Sequence, residues 1–263
     1  MPIIESIQVA SVAVPLDKVT SFSTRTVSER HYCLVKVRGK DGNQGIGFCY
    51  VGSAGGDIAK IAVEQLLAPK LIGQNSHRSE GLWMDMYNES ILQGRAGAVM
   101  RGISILDTAL WDLNARSVGL PLHQYLGSVV DDRVPAYASG GYYLDGKTPA
   151  KLGKEMESYV KQGFKAVKMK VGRLSPVEEE ARVRAARKAI GEDILLTLDA
   201  NNAWRDLPTA LEYVRRFEAY NPYWIEEPFS PDAIDLHAAL ARQTSINVAT
   251  GEMEAGRWRF REL

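Results

Sequence analysis

The 263-residue chain is 45% hydrophobic and 24% charged, the make-up of an ordinary globular protein with room for one or two domains. Its 32 Lys and Arg offset 32 Asp and Glu, so no net field attracts nucleic acid or an anionic membrane. The longest apolar stretches, such as 61–67, are too short and too broken by charge to span a bilayer, and residues 1–10 lack the basic start of a secretion signal. Cys33 and Cys49, the only cysteines, read as reduced core thiols, and the expected location is cytoplasmic.

Strand-like runs at 6–14, 32–38 and 45–51 come first. The last two flank Gly39-Lys40-Asp41-Gly42-Asn43, whose Asp-Gly step suits a hairpin turn. Helices are predicted at about 56–71, 79–92 and 98–117. In the third, Ile103, Leu106, Leu110 and Leu113 share one face, and Gly119 with Pro121 stops it. Strands in one block and helices in the next predict an α+β domain over residues 1–128.

Over residues 129–263 the order becomes alternation. Strand 134–139 leads to a helix opened by Thr148 as N-cap with Pro149 at its first position. Strand 166–171 leads to the capping box Ser175-Pro176-Val177-Glu178 and a helix ending at Gly191. Strands 194–199, 223–226 and 246–250 each run into a further helix, at 207–220, at 232–242 and from 257. These are successive βα units, which predicts an α/β domain with five parallel strands in chain order and right-handed crossovers.

Charged residues close these apolar runs: Lys168-Met169-Lys170, then Asp199, Glu226 and Glu252, at intervals of 26 to 31 residues. Charges at the carboxyl ends of consecutive parallel strands point into one shared site. Lys168 and Lys170, two apart in a strand, project to one face while Met169 faces the helices. Crowding by a like charge and a bound cation is expected to lower a lysine pKa towards the range of a base. Three carboxylates in one cleft repel each other unless a divalent cation joins them. All-oxygen ligation selects Mg²⁺, with Mn²⁺ or Ca²⁺ as alternatives, and no Cys or His joins the cluster to suggest zinc. Each feature alone has a plainer reading: Lys-x-Lys as a solvated strand, Asp199-Ala200-Asn201 as a helix-capping loop, the glutamates as surface groups.

At Lys168-Met169-Lys170, Asp199-Ala200-Asn201, Trp224-Ile225-Glu226-Glu227-Pro228 and Gly251-Glu252 the sequence resembles the enolase superfamily, in particular its mandelate racemase subgroup. The stretch Leu106-Asp107-Thr108-Ala109-Leu110-Trp111-Asp112 looks like that family's capping-domain helix. The resemblance implies an α+β capping domain followed by a (β/α) TIM-type barrel. It also implies metal ligands Asp199, Glu226 and Glu252, Lys170 as base and Lys168 as its electrostatic partner. The implied reaction is Mg²⁺-dependent removal of the proton next to a carboxylate through a metal-stabilised enediolate, as in an acid-sugar dehydratase. Alternatives are a 2-hydroxy-acid racemase or epimerase, a Schiff-base aldolase with Lys170 as nucleophile, and a metal-binding homologue without turnover.

Substrate choice in that family rests on capping-domain loops, here about 14–31 and 50–56. Ser21, Ser23, Thr24, Arg25 and Tyr50, with Asn201 beside the metal motif, are the candidate substrate-binding residues for a small-molecule carboxylate, expected to be a sugar acid. A homo-oligomer is expected of the full-length form. Family members continue through three further barrel strands, and the mandelate racemase subgroup takes a His–Asp dyad from them. Here the sequence stops 11 residues beyond Glu252, and His31, His77, His123 and His237 fall at no predicted barrel strand end. The expectation is a C-terminally truncated member with about five of eight βα units.

Overall fold

The computed structural model describes residues 2–128 and 133–263. The chain folds as two compact units. The first comprises Met1–Asp17, Ser28–Val134 and Ala255–Trp258, the second Lys18–Val27, Pro135–Glu254 and Arg259–Leu263. The boundary expected between residues 128 and 129 borders 129–132 and lies outside the described residues.

The antiparallel sheet has the order β1-β2-β3, with β1 Ile4–Ser21, β2 Thr26–Gly39 and β3 Gln44–Tyr50. Asp41-Gly42 turns the β2–β3 hairpin: Gly42 sits at φ 87° and the Asp41 carboxylate accepts the Asn43 N–H at 3.1 Å. β1 runs on through Pro15 past its expected end, because it lies at the sheet edge, where a missing N–H breaks no ladder.

Cys33, Val35 and Val37 alternate into the core on β2. The helix expected at 56–71 is divided into α1 Gly56–Ala62, a π turn Val63–Leu67 and α2 Ala68–Leu71. The π turn falls just ahead of Pro69, whose ring does not fit a continuous α ladder. α3 is Ser79–Glu89, α4 Ala98–Ser117 and α5 Leu122–Tyr125. α4 buries Ile103, Leu106, Leu110 and Leu113 as the periodicity predicts. It lies almost on the β3 backbone: a Cβ at Gly47 would stand 2.0 Å from the Ile105 carbonyl oxygen, so only glycine fits there.

Burial and the charge of Glu80 push the Asp107 carboxyl on α4 up to about 6, against a lowering hydrogen bond from Trp111. The native state therefore holds this proton above the ordinary value of 3.8, and stability falls as pH rises from about 4 to about 6. Asp107→Asn should stabilise the protein at pH 7 by ~1–2 kcal/mol, allowing for partial exposure, and flatten that acid-side slope. Urea melts at several pH values give the answer, and an unaltered slope counts against this account.

The second unit carries the parallel sheet β4-β5-β6-β7-β8, with strands Ala138–Gly140, Ala166–Lys170, Leu195–Asp199, Trp224–Glu226 and Asn247–Ala249. Between them run α6 Pro149–Lys161, α7 Pro176–Ile190, α8 Leu207–Phe217 and α9 Ile234–Ala241, and α10 Gly256–Glu262 follows. This is the partial (β/α) barrel that the alternation implied. The first strand is shorter than expected: residues 134–137 stay out of the sheet, since β4 is an outer strand with one neighbour, and Val134 is 87% exposed. Thr148 caps α6 through the Lys151 N–H, and the Ser175–Glu178 capping box opens α7. Val167, Met169, Leu196, Leu198 and Ile225 join the core under the helices, which leaves the alternate residues to the opposite face.

Candidate active site

Strand register builds the cluster. Lys170 pairs with Asp199 across β5 and β6, Asp199 with Glu226 across β6 and β7, and Glu226 with Ala249 of β8. Three charged residues thus stand abreast where the parallel strands end. Lys168 lies two residues back on the same face, and both lysines are 7% exposed. The Lys170 ammonium donates to Asp199 Oδ2 at 2.6 Å. Lys168 donates to both Glu226 oxygens at 2.9 Å and lies 3.3 Å from the same Asp199 oxygen. Asp199 Oδ1 accepts the Asn201 N–H at 3.0 Å, so this buried carboxylate is fully engaged.

Aromatic rings close in on the amines. Lys168 Nζ is 5.5 Å from the Tyr137 ring centroid, and Lys170 Nζ is 5.4 Å from Tyr142 and 5.9 Å from Phe22.

Burial pulls the Lys168 ammonium down, but the Asp199 charge and the Glu226 hydrogen bond and charge outweigh it, and its pKa is raised. Glu227 is 1% exposed, neither of its carboxyl oxygens has a hydrogen-bond partner, and it takes φ 46°, a left-handed conformation costly for glutamate. Burial, with the charges of Glu252, Asp199 and Glu226, pushes it up to about 7. Partial burial, a hydrogen bond with Glu226 and the Asp199 and Glu226 charges raise the Glu252 pKa as well, against a lowering by the Lys168 charge.

Four carboxyl groups therefore face two ammonium groups, an excess of negative charge that a hard divalent cation would neutralise. The donor set fits such an ion in chemistry. Among the described residues, however, no three acidic, histidine or cysteine side chains are already arranged as a cation cage, because Asp199 and Glu226 turn their oxygens to the lysines.

The remaining candidates divide between the units. In the second unit, the Ser21 hydroxyl pairs with Thr26 at 2.8 Å, Ser23 hydrogen-bonds the Ala200 and Asn201 carbonyls, and the Arg25 guanidinium lies 5.8 Å from the Phe22 ring. Thr24 is exposed. This segment thereby brings Phe22 and Ser23 to the lysines and the metal motif, while Thr24 and Arg25 make no such contact. Asn201 has an unpartnered buried side-chain oxygen. Tyr50 belongs to the first unit, where its carbonyl accepts from Arg101 at 2.8 Å. Sequence reasoning missed Glu227, Phe22, Tyr137 and Tyr142. The doubled acid of Glu226-Glu227-Pro228 is the one signal in the sequence that could have pointed to Glu227.

The family model described as "Mandelate racemase / muconate lactonizing enzyme, N-terminal domain" matches residues 4–127, and "Enolase C-terminal domain-like" matches residues 151–263. An arabinonate dehydratase of Saccharolobus solfataricus is 38% identical over 207 residues, 79% of this chain and 55% of its own length. An L-talarate/galactarate dehydratase of Salmonella typhimurium is 33% identical over 239 residues, 90% of this chain and 58% of its own length. The chain thus spans little more than half the length of these two relatives. A racemase from Streptomyces coelicolor A3(2), solved with bound magnesium, superposes with a TM-score of 0.92 at 30% identity, over 98% of this chain and 72% of that one.

Proposed function

Because the chain belongs to the mandelate racemase/muconate lactonizing enzyme family of the enolase superfamily, we propose that it serves Mg²⁺-dependent removal of the proton alpha to a carboxylate. The substrate is a sugar acid, and the reaction continues by loss of the β-hydroxyl as water. The observation that carries this reading is the row Lys170–Asp199–Glu226, its first two members buried, with buried Lys168 behind it, at the carboxyl ends of parallel strands.

Asp199, Glu226 and Glu252 would hold the ion, which supplies a positive charge that polarises the substrate carboxylate. The chain's own residues do the rest. Lys168, which donates to both Glu226 oxygens and lies 3.3 Å from Asp199 Oδ2, suits the part of an electrostatic partner for the charge that develops on the carboxylate oxygens. Lys170 Nζ, on the residue nearer the strand end, takes the proton. Phe22, Tyr137 and Tyr142 limit the water around the amines and so strengthen these interactions. The dehydratase names of two relatives support elimination. A racemase or epimerase shares the first step and differs in returning the proton, and the Streptomyces structure favours it as the second reading.

The test is hydrogen exchange at the α-carbon of a panel of aldonic and aldaric acids in deuterated solvent, with and without Mg²⁺. Mg²⁺-dependent exchange is expected, and a 2-keto-3-deoxy product marks dehydration while an epimer marks the second reading. Absence of exchange and of keto product across the panel, or turnover indifferent to chelation, defeats the proposal.

A further inference from the structure

Arg182, on α7, is 5% exposed and grips three elements at once. Its Nη1 donates to the Lys170 carbonyl at 2.9 Å and to Glu179 Oε2 at 2.7 Å, and its Nη2 donates to the Gly141 carbonyl at 2.8 Å. The guanidinium lies 3.9 Å from the Tyr143 ring centroid. Glu179, fully buried one turn earlier on α7, turns its other oxygen to the chain just after Lys170. That oxygen accepts the N–H groups of Gly172, Arg173 and Leu174 at 3.1, 3.0 and 3.0 Å, and the Tyr143 hydroxyl. Gly141, at φ 69°, passes so close over β5 that a Cβ there would stand 2.5 Å from Met169 Cβ. One guanidinium therefore ties the carboxyl ends of β4 and β5 together through the peptide of Lys170 itself.

A buried ion pair is costly unless its remaining donors and acceptors are satisfied in one geometry. Here they are satisfied by the backbone at Lys170, just after it at 172–174, and at Gly141. We infer that Arg182, held by Glu179 and Tyr143, is a positioning residue that sets where the Lys170 amine projects. The inference rests on Lys170 being the base of the function proposed above. Displacement of a reacting group by about 1 Å costs on the order of 10²-fold in rate, which sets the scale of the expected effect.

The test uses Arg182→Met and Arg182→Lys in the full chain, with thermal melts to establish folding. Two quantities are read: kcat and KM for Mg²⁺-dependent α-hydrogen exchange, and acetic anhydride labelling of Lys170 relative to Lys168 in metal-free protein, resolved by fragment mass spectrometry. The expected result is a kcat lower by about 100-fold at unchanged KM, together with an altered Lys170:Lys168 labelling ratio. A merely structural arginine would lower the melting temperature and leave the ratio alone, and that outcome overturns the inference. Should the Arg182 variants not fold, Tyr143→Phe removes only the hydroxyl bonds to Glu179 and the Arg173 N–H, and must move both readouts in the same direction for the inference to stand. If wild-type protein exchanges no substrate hydrogen, Lys170 loses its assignment as base, while the labelling ratio still decides whether Arg182 positions it.

Discussion

Lys170→Met should reduce Mg²⁺-dependent α-hydrogen exchange by about 10³-fold, within the range for loss of a positioned general base. Methionine keeps the length of the stem and removes the group that would receive the proton. The substitution also removes one of two ammonium partners from Asp199, so a fall in stability accompanies it. Asp199 keeps Lys168 at 3.3 Å and the Asn201 N–H at 3.0 Å, which limits the damage. Mg²⁺ binding, followed calorimetrically, should persist or tighten, since an ammonium that competes for the Asp199 oxygen is gone. Exchange at wild-type rate in a folded variant would remove Lys170 as base. Loss of exchange together with loss of Mg²⁺ binding would instead place Lys170 in the architecture of the cluster.

The cluster was legible because its backbone logic is periodic. Alternation fixes which strand residues share a face, and the recurring βα unit fixes where strands end, so Lys168, Lys170, Asp199 and Glu226 could be placed on one face from sequence alone. The hairpin at Asp41-Gly42, the capped starts of α6 and α7 and the buried stripe of α4 were legible for the same reason, each being a local rule. What escaped depends on the chain leaving the periodic pattern. Glu227 faces the acids because φ 46° breaks alternation directly after Glu226, and no composition signal announces that conformation. Phe22 reaches Lys170 from a segment almost 150 residues distant in sequence, 170 − 22, and only the folded chain shows the contact. The surroundings of Lys168 depend likewise on pairing between strands. Sequence showed two amines side by side, whereas register brings Asp199 to 3.3 Å and Glu226 to 2.9 Å from the Lys168 amine.

Asp199→Asn should have two effects of different origin, and separating them tests the site more sharply than activity does. Without metal, Asp199 is the counter-ion shared by both ammoniums, at 2.6 and 3.3 Å. An amide of the same shape still accepts the Asn201 N–H but no longer offsets two buried positive charges, and breaking such a buried arrangement costs ~3–5 kcal/mol. With metal, the same oxygen is a proposed ligand. Wild-type protein should gain stability with Mg²⁺ by mass action, about 2.7 kcal/mol at 100 times its dissociation constant. In the variant that gain should vanish over the same concentrations, because loss of a direct ligand exceeds the ~10–100-fold typical of an outer partner. Glu226→Gln should show the smaller baseline loss, since Glu226 faces Lys168 alone and is 13% exposed, with a similar loss of the Mg²⁺ response. Paired denaturation curves with and without Mg²⁺ resolve the two effects. A destabilised Asp199→Asn that keeps its full Mg²⁺ response would mean that Asp199 is a counter-ion to the lysines and the cation binds elsewhere.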